Sequence, residues 1–363
     1  MNFPISEKYI YFDSARSGGM CQELLSWRKK HDNLFLNKGS QFRLNNDDFI
    51  DGVRNGVANF FNSQKNYVFL TNSFSIGFNS LLNILNPNLK FLIIEDDYPS
   101  IIDQVKFNRF KHEFVEKTFD LEEKIIEKIE IYKPDVLTLS VVHYLNGVYL
   151  DLDFFNKIKR KFPKLLIIAD GTQFCGTKSF DFNSSDIDVL ISSGYKWLFS
   201  GYGNGFVLIK KNFIEDFLKN NDRKNTEDFL YRTFEPGNLD TLSFGSLLFS
   251  INKISEYGID KIESRINFLS DYAKEKFIDY DLLDFQVKNR VKHSNIFNLK
   301  GNDSLYQKLI KNQIICSRRG NGIRVSFNFY NKEKQIDSLL KFFKKNYYSI
   351  TTKVDTPESD VAP

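Results

Sequence analysis

Cysteine, histidine, methionine and tryptophan are all scarce in this chain of 363 residues, and neither sign of charge dominates. The three cysteines, Cys21, Cys175 and Cys316, lie far apart with no C-x-x-C spacing. An odd, scattered set gives no disulfide framework and points to a reducing compartment. The four histidines never occur at i, i+4, so no metal site is expected. Fifty basic residues against 46 acidic leave a net charge of +4, too weak a bias for a nucleic-acid or membrane surface. The basic run Lys157–Lys164 reads as a solvated helix end. No uncharged apolar stretch approaches the ~18 residues of a spanning helix, and MNFPISEKYIYF lacks the regions of a signal peptide. A soluble, cytoplasmic protein is the expectation.

What is present is a core. Apolar residues make up 42% of the chain, enough to bury a substantial interior in one large or two ordinary domains. Short apolar runs alternate with helix-length segments: YVFL, KFLIIE, DVLTLSVV, KLLIIA, VLIS and GFVLIK. Continuous runs of this length suit strands covered on both faces, hence an α/β fold with a mostly parallel sheet flanked by helices. From about residue 245 the alternation breaks. Two amphipathic helices, a strand in IRVSFNFYN and a final helix in KEKQIDSLLKFFKK predict a smaller α+β unit. The expected organisation is a large domain over 15–244, a small domain from 1–14 with 245–350, and a frayed polar tail over 351–363.

Several strands end in polar residues. YVFL runs into TNSFS, DVLTLSVV into His143, KLLIIA into Asp170, and VLIS into SGYK. In open α/β sheets ligands bind beyond the carboxyl ends of the strands, so these residues are expected to converge. Asp170 taken alone reads first as a turn or cap aspartate, and Lys196 alone as a lysine whose head reaches solvent. The pair is more telling. Asp170 precedes Lys196 by 26 residues, about one strand–loop–strand unit. A lysine able to form an imine and an acid able to keep a ring nitrogen protonated are the two groups that pyridoxal phosphate requires. The glycine-rich GYGNG precedes a strand rather than opening a helix, which excludes a dinucleotide fingerprint.

The segment from Leu165 to Lys211 resembles the lysine region of class V aminotransferases and cysteine desulfurases, pyridoxal-phosphate enzymes of fold type I. YIYFDSARSG, FLTNSFSIGFN, SVVHYLNGVYLDLDFF, FEPGNLD and IRVSFNFYNKEKQIDSLL resemble further family segments in the same order. The resemblance implies that Lys196 is the imine-forming lysine and that Asp170 pairs with the pyridine nitrogen. It implies Gln173 at the ring oxygen and His143 stacked on the ring. Phosphate would be held by Ser73, Phe74 and Ser75 at a helix start, with Ser193 and Tyr195. Asn238 would reach a partner subunit's phosphate, so a homodimer with a shared site is implied. Arg324 would grip the substrate α-carboxylate, with Asn146 near the ring oxygen or that carboxylate. Arg16 would meet a second, distal anion or simply form a surface ion pair.

The phosphate loop departs from the pattern, with Ser73 for a glycine, Phe74 for a small residue and Ile76 for a glutamate. A desulfurase needs a cysteine on a mobile loop, whereas Cys316 stands eight residues before Arg324 in what reads as a strand and tight turn. The expected activity is therefore transamination of an amino-bearing small molecule, with desulfurase-like or other C–S elimination as the alternative. A non-catalytic binding protein that kept the fold is a distant third.

Overall fold

The computed structural model describes residues 1–210, 215–218 and 226–351. Its strands are β1 (Ile10–Tyr11), β2 (Val68–Thr71), β3 (Lys90–Ile94), β4 (Lys111–Val115), β5 (Val136–Ser140), β6 (Leu166–Asp170), β7 (Val189–Ser193), β8 (Gly205–Ile209), β9 (Ile296–Lys300), β10 (Ile314–Ile315), β11 (Ser317–Arg319) and β12 (Gly322–Ser326). Seven of them form one sheet in the order β2-β8-β7-β6-β5-β3-β4. β8 alone runs opposite to the other six strands. The six apolar runs read from the sequence each supply one of these strands.

Their continuous hydrophobicity follows from burial on two faces. Side chains alternate along a strand. Phe91, Ile93, Val136, Leu166, Ile168 and Ile191 therefore pack on one side, with Phe78 and Leu81 of helix Phe74–Ile84. Leu92, Leu137, Leu139, Ile167 and Leu190 pack on the other, with Phe155 and Ile158 of helix Leu152–Lys161. That helix starts where Asp151 accepts a hydrogen bond from the Phe154 N–H at 3.0 Å, an N-cap that satisfies an otherwise free donor. Strand β4 (KHEFV) carries no apolar run because it lies at the sheet edge, with Lys111 and Glu113 exposed. Its sequence gives little strand signal for that reason.

Strands β11, β12 and β9 form a separate antiparallel sheet, accompanied by helices Ile259–Asp279, Asp303–Lys311 and Glu333–Thr351. The chain start joins this part, since Ile10 and Tyr11 pair in parallel with Ile314 and Ile315 and Asp13 bridges to Ser326. Helix Thr241–Tyr257 packs against helices Asn46–Phe60 and Gln22–Lys38. The tail expected to be frayed lies outside the described residues, apart from Thr351 at the end of the last helix. Among the described residues no helix is long and apolar enough to cross a membrane, and no cluster of His, Cys, Asp or Glu is arranged to hold a metal ion.

Candidate active site

Strand β6 ends on Asp170, and its parallel neighbour β7 ends on Ser193, three residues before Lys196. Both side chains are thus delivered to the same edge of the sheet. Thr172 joins the two strand ends: its N–H donates to Asp170 Oδ1 at 2.8 Å, and its hydroxyl accepts from the Ser193 N–H at 3.2 Å. The turn holding Lys196 is pinned from the other side by Gly18, whose N–H donates to the Tyr195 carbonyl at 3.0 Å. A Cβ at Gly18 would fall 1.9 Å from the Lys196 carbonyl oxygen, so no side chain fits there. Gly18→Ala should cost about 1–3 kcal/mol, a typical overpacking penalty, and should weaken cofactor retention; a thermal melt and the absorbance of the purified protein measure both.

Lys196 and Asp170 line one small cavity of about 60 Å³, together with Ser73, Phe74, Ser75, Gln173, Ser193 and Tyr195. Eight of the residues singled out in the sequence therefore meet. Tyr98, Ser140, Tyr144 and Thr172 complete the wall. Sequence reasoning missed these four. Tyr98 follows β3 in the stretch EDDYPS, so the strand-end rule that found Asp170 would have reached it too. Asp97 beside it is buried, and its carboxylate accepts from both the N–H and the hydroxyl of Ser140, at 2.8 and 2.6 Å.

The electrostatics of the pair are governed by burial. Desolvation pushes the Lys196 amine below the ordinary lysine range, reinforced by the nearby Arg324 and Arg319 guanidiniums, while Asp170 pulls the other way. Desolvation likewise raises Asp170, against the hydrogen bonds from Thr172 and the attraction of Lys196. Both groups shift toward neutrality, and no ion pair among the described residues joins them. They share a cavity without touching. An amine and an acid lining one cavity are the groups that an imine and a protonated ring nitrogen call for.

The end of the cavity near Ser73 fits an anion. Ser73 caps helix Phe74–Ile84, and Ser193 Oγ accepts from the Phe74 N–H at 2.8 Å. Ser75 Oγ lies 2.8 Å from Ser100 Oγ. A helix start with the hydroxyls of Ser73, Ser75 and Ser193 beside it is a setting that favours an anion. Gln173 donates to the Ala15 carbonyl at 2.9 Å and accepts from Trp197 Nε1 at 2.8 Å, so its amide braces the wall.

The remaining candidates lie elsewhere. His143 is buried outside the cavity lining, with Nε2 2.9 Å from the Asp96 carbonyl and Nδ1 unpartnered; burial lowers its proton affinity. The cavity wall is formed instead by the next residue, Tyr144. Asn146 lines a neighbouring cleft. Arg324 is 2% exposed; Nη1 donates to the Tyr144 carbonyl at 2.8 Å, Nη2 stands 3.6 Å from Asp13, and Nε and Nη2 lack hydrogen-bond partners. A buried guanidinium with spare donors suits a carboxylate ligand. Asn238 is exposed, accepting from Arg43 at 2.7 Å beside a different surface cavity, and Arg16 is exposed as well.

The family signature "Aminotransferase class-V" matches residues 10–339. The chain belongs to the class-V aminotransferase family. Its cofactor is pyridoxal phosphate, and its architecture is that of fold type I. Among curated proteins, a probable cysteine desulfurase of Borreliella burgdorferi (strain ATCC 35210 / DSM 4680 / CIP 102532 / B31) is 21% identical over 404 residues, 95% of this chain and 93% of the relative. Among solved structures, the cystine C-S lyase C-DES in complex with its reaction product cysteine persulfide superposes with a TM-score of 0.81 at 17% identity, covering 94% of this chain and 98% of the other. A C-DES mutant with glycine covalently linked to its pyridoxal-phosphate cofactor also superposes at 0.81 and 17% identity, over 94% and 97% of the two chains. As a class-V family member the chain is an enzyme.

Proposed function

We propose that this class-V enzyme cleaves the Cβ–S bond of a small sulfur amino acid by α,β-elimination, releasing the sulfur as a small molecule. The names of the relatives support C–S chemistry over the transamination expected from the sequence. The observation that carries the choice of elimination is the state of the thiols. All three cysteines are buried, none lines the Lys196 cavity, and desolvation raises all three, Cys316 to about 12. Cys316 sits between β10 and β11, before a tight hairpin, with no long loop to carry it. Transfer of sulfur to a protein thiolate requires an accessible, ionised cysteine.

Pyridoxal phosphate, when bound, supplies the electron sink for the pair left at the substrate Cα. Asp170 would hold the proton on its ring nitrogen, the Ser73 helix start its phosphate, and Lys196 its aldehyde carbon. The lowered proton affinity of Lys196 suits it to take the proton from Cα. Arg324 orients the substrate through the α-carboxylate. Sulfur leaves with the electron pair of the Cβ–S bond and takes up a proton; water then yields pyruvate and ammonium. The same reading makes the enzyme a homodimer, because exposed Asn238 would meet a cofactor only in a second copy.

The test is product analysis of the holoenzyme with L-cysteine and L-cystine. Elimination gives pyruvate, ammonium and sulfide or persulfide in equal amounts. A Cys21→Ala, Cys175→Ala, Cys316→Ala triple variant should keep at least about half the turnover, since no step uses a thiol. Alanine as product, with turnover lost in that variant, would establish desulfurase chemistry instead. Conversion of the cofactor to its amine form by an amino donor, with no sulfur released, would establish transamination.

A further inference from the structure

Hairpin β11–β12 packs on the loop that carries Tyr144, since a Cβ at Gly320 would lie 3.3 Å from the Leu145 methyl groups. Its register pairs Ser317 with Arg324, Arg318 with Ile323 and Arg319 with Gly322. Paired residues share a face, and side chains alternate along each strand. Ser317, Arg319 and Arg324 therefore stand on one face, Arg318 and Ile323 on the other. The first face belongs to the site: Ser317 Oγ donates to Asp13 at 2.6 Å, and Arg324 reaches the Tyr144 carbonyl. Only a glycine stands opposite Arg319. Arg318, by contrast, is occupied, with Nε donating to Asp303 and Nη1 to the Gly322 carbonyl, both at 2.6 Å.

Three arginines gather around this face. Arg324, Arg16 and Arg319 all act electrostatically on the single buried carboxylate of Asp13. Arg319 is exposed and enters no ion pair among the described residues. It acts on Lys196 and on Tyr144, so it lies within electrostatic reach of the reacting end. There is also space. A cleft of about 590 Å³, lined in part by Leu145, Asn146, Gly320 and Asn321, shares Tyr144 with the Lys196 cavity. Its lining is acidic on balance, with Asp96, Asp97, Asp103 and Asp284 against Lys117 and Lys300.

We propose that Arg319 is a specificity-determining residue that takes the second carboxylate of a dicarboxylic amino acid, whose far half lies in the cleft beside Tyr144. The sulfur content of that substrate rests on the C–S cleavage reading. A disulfide- or thioether-bridged pair of amino acids, such as cystine or cystathionine, has the required form: a carboxylate for Arg319 and an ammonium for the aspartates of the cleft.

The experiment is a rapid-mixing titration of the holoenzyme's cofactor absorbance with L-cystathionine and with S-methyl-L-cysteine, read as the ratio of their dissociation constants. In the wild type the dicarboxylic ligand binds more tightly. Arg319→Gln should reduce that preference about 10-fold, the scale of one charge-assisted contact. Arg319→Lys should restore part of it, and Arg318→Gln, on the opposite face, should leave it at the wild-type value. An unchanged ratio in Arg319→Gln, or no preference in the wild type, overturns the proposal. Failure to release sulfur from any substrate refutes the C–S reading separately, because the binding ratio is measured without turnover.

Discussion

Lys196→Ala should leave the protein unable to fix its cofactor on borohydride reduction and should cut turnover by at least about 10²–10⁴-fold, the usual range for losing a positioned base. Peptide mapping of the reduced wild type should place the pyridoxyl group on Lys196 and on none of the other lysines. The reasoning starts from burial. This amine is 7% exposed, at the end of a strand whose residues are all buried, and desolvation lowers its proton affinity. A lysine in water is almost wholly protonated at neutral pH, with a pKa of about 10.4. Loading of the apoprotein with pyridoxal phosphate should therefore accelerate with pH and level off well below that value. A plateau reached only near the ordinary lysine value would show that the amine is not desolvated as its surroundings indicate.

The second large effect belongs to Asp170. Asp170→Asn should retain the cofactor on Lys196 but lose on the order of 10²–10³-fold in turnover, the scale for removing one preorganised electrostatic partner. Asp170 favours the charged form of Lys196, so in the variant the pH midpoint for cofactor loading should move further down. A midpoint that stayed in place would mean that the two groups do not interact. The same shifts set the pH dependence of the apoprotein. The folded form of Lys196 binds protons less tightly than the unfolded chain does. Its contribution to stability is thus full above about pH 10.4 and is lost as pH falls through its lowered value. Asp170 is raised, so its contribution is full below about pH 3.9 and is lost as pH rises through its folded value. Near neutrality neither group stabilises the apoprotein. Bound cofactor should raise the melting temperature most strongly there, as calorimetry of the two forms across pH would record.

The thiols illustrate how far the sequence could be read. The position of Cys316 eight residues before Arg324 already argued against a mobile nucleophile. The hairpin between β11 and β12 and the burial of all three cysteines explain why: no segment near Arg324 is long enough to swing a thiol to Lys196. Arg319 shows the opposite case. In the stretch CSRRGNGIR its charge is indistinguishable from that of Arg318, and only the pairing register separates the guanidinium facing Arg324 from the one directed to Asp303.

The sheet and the lysine–aspartate pair were legible from the chain alone because both rest on local patterns: apolar runs the length of a strand and polar residues just beyond them. Burial on both faces makes such runs continuous, and parallel strands bring their carboxyl ends to one edge, so Asp170 and Lys196 meet without further instruction. Other assignments depended on contacts between distant segments. That Tyr98 and Tyr144 wall the cavity, that His143 is tied to the Asp96 carbonyl, and that Arg324 keeps spare donors beside Asp13 all follow from how loops of the large sheet pack against the hairpin of the smaller one. Loop direction is set by long-range packing and hydrogen bonding, which leave no periodic trace in the order of residues.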